Sequence, residues 1–87
     1  MRTERQAHID RLIIRTLASA SGYPFPEGVI RDHLALRVVP PVQTAEVNNS
    51  LAYLESQLRI SSIQGETCLL WELTDAGRGW WSRNQFA

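Results

Sequence analysis

His8, His33 and Cys68 are the residues of this chain that could bind a soft metal ion or move a proton near neutral pH, and each stands alone in its stretch of sequence. A closed zinc site takes four ligands in closely spaced pairs, which one cysteine and two separated histidines do not supply. No Gly-rich loop, nucleophile motif or telling pair of carboxylates accompanies either imidazole, so acid–base and nucleophilic chemistry have no constellation to act through. The expectation is a non-enzyme without metal or cofactor. Cys68, in a β-prone run, reads as a small buried hydrophobe.

The remaining polar groups are suited to recognition. All nine basic residues are arginine, balanced by nine acids. Every positive charge is therefore a planar guanidinium, matched to carboxylate or phosphate. The charge is unevenly spread: residues 1–15 and 78–87 each carry net +2, whereas residues 16–77 carry −4. Arg5, Arg11 and Arg15 can hold phosphate or form a solvated face moderated by Glu4 and Asp10. Asn48-Asn49-Ser50 can read base edges or stand as plain helix surface.

The elements that must position these groups follow from pattern. Eighty-seven residues suffice for one domain, 1–87, and 44% hydrophobic with 21% charged residues is a folded rather than a disordered composition. A single cysteine allows no internal disulfide and fits a reducing, cytoplasmic setting. The longest apolar run, Cys68-Leu69-Leu70-Trp71, is far too short to span a membrane, and the charged amino terminus has no signal-peptide core.

Thr3 and Gln6 form a capping-box pattern before a first helix over about 3–20, with Ile9, Leu12, Ile13, Thr16, Leu17 and Ala20 on one face. Ser21-Gly22 stops it, and Tyr23-Pro24-Phe25-Pro26 is a connector. Pro26 and Glu27 suit the first turn of a second helix with Val29, Ile30, Leu34 and Leu36 inward. Pro40-Pro41 marks a turn. Thr44 is expected to cap a third helix through about Leu58, buried along Val47, Leu51, Leu54 and Leu58, with Ala45, Asn49, Ala52, Tyr53 and Ser56 roughly opposite. Two β-prone runs, 59–64 and 67–73, flank Gly65-Glu66 as a hairpin, with Trp71 and Leu73 on one face. Thr74 and Asp75 begin a last helix, about 75–85, which carries Trp80 and Trp81. One of these adjacent indoles should cover the core and the other sit at its edge or in an interface.

Three helices, a β-hairpin and a closing helix make an α+β, mainly α order that resembles a winged helix-turn-helix domain of bacterial or phage regulators. Val29-Ile30-Arg31-Asp32-His33-Leu34-Ala35-Leu36 looks like the first helix of a helix-turn-helix. Val47 to Ile63 resembles the recognition helix running into the first wing strand. Leu70-Trp71-Glu72-Leu73-Thr74-Asp75-Ala76-Gly77 is similar to the strand followed by Leu-Thr-x-x-Gly that ends many such domains. The resemblance covers about Arg5 to Trp81. It implies a dimeric DNA-binding regulator whose third helix enters the major groove while the wing follows the backbone. On that implication Gln43, Thr44, Asn48, Asn49 and Tyr53 face bases or phosphates, and Arg37 and Arg59 join them as DNA contacts.

The charges pull toward a second class of function. Residues 43–60 hold Glu46 and Glu55 against Arg59 alone, and the wing tip Gln64-Gly65-Glu66-Thr67 has an acid and no base. Because phosphate neutralisation supplies non-specific DNA affinity, the alternative is a winged-helix module that binds a protein instead of DNA. Trp80, Trp81 and Phe86 are more apolar surface than a small domain hides, and they are the expected homodimer interface.

Overall fold

The capping box at Thr3 is present: the Thr3 hydroxyl accepts from the Gln6 amide at 3.0 Å, and the Gln6 side chain accepts from the Thr3 amide at 2.9 Å. It starts helix α1, Glu4–Ala18, in a computed structural model that describes residues 2–20 and 23–84. Ile9, Leu12, Ile13, Ile14 and Leu17 are buried along α1, and the hydroxyl of buried Thr16 is satisfied by the Leu12 carbonyl at 2.8 Å.

After α1 the connector contains a short strand, β1, Phe25–Pro26, which the sequence pattern did not announce. Pro26 is tolerated there because β1 lies at a sheet edge, where a missing amide costs no ladder bond. Helix α2, Glu27–Ala35, buries Ile30 and Leu34 one turn apart. Val29 and Leu36, expected inward, are instead exposed. Val29 is rotated about 100° from Ile30, and Leu36 lies past the helix end as its C-cap. Val38, in the turn, fills the core position instead.

Helix α3, Thr44–Ser56, buries Val47, Ser50, Leu51 and Leu54. Its N-cap is Gln43 and not Thr44; Glu46 reaches back to the Gln43 amide at 3.0 Å, so the chain is already helical at Thr44. Leu58 departs from the expected stripe and is 72% exposed. The helix has ended: the Leu58 amide bonds the Glu55 carbonyl at 3.0 Å and the Arg59 amide bonds the Leu54 carbonyl at 3.1 Å. This is a Schellman ending, with Leu58 at φ 60° in the left-handed position that glycine usually takes.

Strands β2, Ile60–Gln64, and β3, Leu69–Leu73, pair antiparallel with Ile60 opposite Leu73 and Ser62 opposite Trp71. β1 joins the other edge of β3, with Phe25 opposite Trp71, so the sheet order is β1-β3-β2. Trp71 and Leu73 point into the core as period two requires. The hairpin turn is longer than expected, residues 65–68, closed by the Gly65 amide on the Cys68 carbonyl at 2.9 Å. Cys68 is consequently an exposed turn residue and not a buried strand residue.

Helix α4, Asp75–Asn84, is capped by the Thr74 hydroxyl, which accepts from the Gly77 amide at 3.0 Å and donates to the Leu58 carbonyl. Gly77 lies against the Arg59 backbone, and a Cβ there would collide with the Arg59 carbonyl oxygen. The start of α4 is thereby locked to the junction of α3 and β2. Ile9, Ile13, Ile30, Leu34, Val47, Leu54 and Ile60 form the centre of the core between the three first helices and the sheet. Among the described residues no helix is long and apolar enough to cross a membrane.

Candidate nucleic-acid interface

Thr44, Ala45, Asn48, Asn49, Ala52, Glu55 and Ser56 make the exposed side of α3, small and amide side chains with one acid toward the carboxyl end. Ala45, Asn49, Ala52 and Ser56 lie opposite the stripe of Val47, Leu51 and Leu54 at about 100° per residue, whereas Asn48 and Glu55 stand to one side of it and Thr44 is exposed as the first residue of the helix. Gln43 is exposed at its start, and Arg31 of α2 donates to the Thr44 hydroxyl at 3.3 Å. Arg37, past the end of α2, is exposed. A groove of about 410 Å³ lined by Gly28, Arg31, Asp32 and Thr44 runs between α2 and α3.

The flank of α3 toward α1 is built on two arginines. Arg2 grips both carboxylate oxygens of Asp10, at 3.0 and 2.7 Å, and donates as well to the Ser50 hydroxyl at 3.1 Å and to Asn49 Oδ1 at 2.8 Å. Its guanidinium carbon also lies over the Tyr53 ring, 4.2 Å from the centroid. Buried Asp10 and Ser50 are satisfied by this one side chain. Arg5 binds Glu46 through two hydrogen bonds, 2.6 and 3.0 Å, and reaches the Pro40 carbonyl at 2.9 Å. The Arg5 hydrogen bonds, with the Gln43 amide, hold the Glu46 carboxyl down to about 2.

Of the residues singled out from sequence, Gln43, Thr44, Asn48 and Asn49 stand together at the amino-terminal half of α3. Tyr53 is half-buried beneath Arg2, and Arg59 lies away from the Asn48–Asn49 row, in the recess that Tyr53 also lines, 5.0 Å over the Trp80 ring. Trp80 and Trp81 are both half-buried and both packed on the core, Trp81 beneath Arg11 at 5.7 Å, so the expected division of labour between them does not hold. Phe86 lies outside the described residues. Arg2 escaped the sequence reading, and so did the pairings: Arg5 was expected to hold phosphate or stand in solvent, Asp10 only to moderate the charge of α1, and Ser50 to stand with Asn48 and Asn49. The signal available was a serine inside the apolar stripe of α3 and an aspartate flanking that of α1, each requiring a polar partner once buried.

At the wing, Ser62 donates to Glu55 of α3 at 3.0 Å, while Glu66 is exposed at the tip beside no base. Three helices closed by a hairpin whose second strand leads into α4 now stand complete, and comparison with solved structures finds the same arrangement. A crystal structure of a PadR family transcription regulator from hypervirulent Clostridium difficile R20291 superposes with a TM-score of 0.74 over 90% of this chain and 83% of that one, at 19% identity. The fold is a winged helix-turn-helix. No protein-family model matches the chain, and no curated protein matches it. Within the winged helix, α2 and α3 form the helix-turn-helix and β2–β3 the wing.

Proposed function

We propose that this chain is a transcription regulator that binds double-stranded DNA with the exposed side of α3 in the major groove. The observation that carries the reading is the row Thr44, Asn48, Asn49 and Ala52 on the second helix of the helix-turn-helix, with the adjacent acid Glu46 tied to Arg5. Small side chains permit close approach to base edges. Among the described residues the Asn48 amide has no partner, so it can pair bidentately with adenine, and Asn49 offers an outward amide nitrogen to an acceptor such as guanine O6 or N7. Gln43, Thr44, Arg31 and Arg37 border the row and suit phosphate oxygens. Two copies joined through Trp80 and Trp81 of α4, together with Phe86 beyond it in the chain, would present two α3 helices to a two-fold site. Metal, cofactor and catalysis have no part in it.

A second reading, a winged-helix module for a protein partner, is favoured by one observation: Arg2 and Arg5, the arginines nearest α3, are already paired with Asp10 and Glu46. Glu55 and Glu66 then face outward with little compensation.

Selection of bound duplexes from a random library at low salt separates the two. The regulator yields an enriched site of fixed sequence; recovery of duplexes without any enrichment would leave the protein-binding module.

A further inference from the structure

Three arginines border one recess between α1, α3 and α4. Arg2, Arg11 and Arg59 line this recess of about 140 Å³ together with Asp10, Tyr53 and Trp80. Only Arg2 has an acid there, Asp10 at 2.7 Å. Arg11 and Arg59 are half-buried and lie over Trp81 and Trp80, and among the described residues neither side chain has a carboxylate or hydrogen-bond acceptor. An indole face attracts the charge but leaves the in-plane N–H groups unused, five on each guanidinium. Such donors, drawn partly out of water and lying near aromatic rings, suit an oxyanion.

We propose that this recess is a phosphate-binding site, with Arg11 and Arg59 as its ligands and Tyr53 lining its wall. Arg11 comes from α1, Tyr53 from α3 and Arg59 from the residue before β2. Two guanidiniums brought by separate elements suit the several directions of a tetrahedral phosphate better than one planar carboxylate. Arg2, whose donors are committed to Asp10, Ser50 and Asn49, fixes the wall and does not neutralise the ligand. The phosphate group has two sources, free phosphate and the DNA backbone. The site does not depend on base reading by α3, and it stands if that reading fails.

Melting curves and tryptophan fluorescence, read against sodium phosphate and against sodium chloride at equal ionic strength, test it. Phosphate should raise the melting temperature and shift the emission of Trp80 saturably, while chloride does neither. Arg11→Met, an exchange at a helix surface, and Arg59→Met should each weaken the phosphate midpoint roughly tenfold, about 1.4 kcal/mol. A response to chloride equal to that to phosphate, or variants that respond as the parent does, would overturn the site. Where a duplex competes phosphate away, the site takes backbone phosphate; where both bind together, it takes the free ion.

Discussion

Arg2, just ahead of α1, and Asn49 of α3 are joined by a 2.8 Å hydrogen bond from the guanidinium to the amide oxygen. A guanidinium only donates, so the oxygen of Asn49 must face Arg2 and its nitrogen must face away. Asn49 is thereby set as an outward donor. Asn49→Asp keeps the bond to Arg2 and removes the donor. It should leave the melting temperature unchanged or higher while weakening the selected duplex by ~1–3 kcal/mol. Equal binding by this variant in an anisotropy titration would remove Asn49 from the recognition surface.

The pairing of Glu46 with Arg5 gives an acid-side prediction. The folded carboxyl is lowered from 4.5 to about 2, chiefly by the Arg5 hydrogen bond. Protons therefore bind the unfolded chain more readily, and the stabilisation is full above the unfolded value and fades as pH falls from about 5 toward 2. Glu46→Gln should flatten that part of the profile of denaturation midpoint against pH. Both side chains keep about a third of their surface in water, 32% and 31%, so added salt should shrink the difference.

Leu58 holds a left-handed backbone, φ 60°, with its side chain largely in solvent. The strain of that conformation, about 1–2 kcal/mol for a residue with a Cβ, exceeds the extra backbone entropy that glycine loses on folding. Leu58→Gly should raise stability by roughly 0.5–1 kcal/mol in urea denaturation. Destabilisation would mean that the Leu58 side chain contributes packing.

Self-association is expected through α4. Trp81 is half-buried, packed on the core beneath Arg11, and the part of it left exposed can be shared with a second copy. Trp81→Ala should shift dimer toward monomer with the fold retained, as read by sedimentation and circular dichroism. A parent chain that sediments as a monomer at high micromolar concentration would sink the interface.

Most elements were legible because their signals are local. Thr3 with Gln6, the Val47–Leu51–Leu54 spacing, Thr74 ahead of Asp75, and the alternation of Trp71 and Leu73 each report short-range physics. Leu58 misled because it continues the α3 stripe in phase, while the ending is decided by hydrogen bonds to Glu55 and Leu54 and by the start of β2. Cys68 misled because an apolar run does not reveal where a hairpin turn closes. β1, two residues long, has no periodicity to detect. The polar scaffold of the candidate interface was the least legible part, since Arg2–Asn49 and Arg5–Glu46 lie 47 and 41 residues apart and such pairs leave no pattern in the chain. The row of Thr44, Asn48 and Asn49 was readable; the pairings by which Arg2 and Arg5 orient and neutralise its flank were not.

The central claim is that α3 reads DNA, and fluorescence anisotropy titration of the full chain against random and selected duplexes at low salt tests it most directly. We expect saturable binding to both, tighter to the selected duplex, with affinity falling as salt rises. Arg37→Gln should weaken both alike and reduce the salt slope, whereas Asn48→Ala should weaken only the selected one. No saturable binding to either duplex below about 100 μM, the weak end of ordinary non-specific affinity, would contradict the claim.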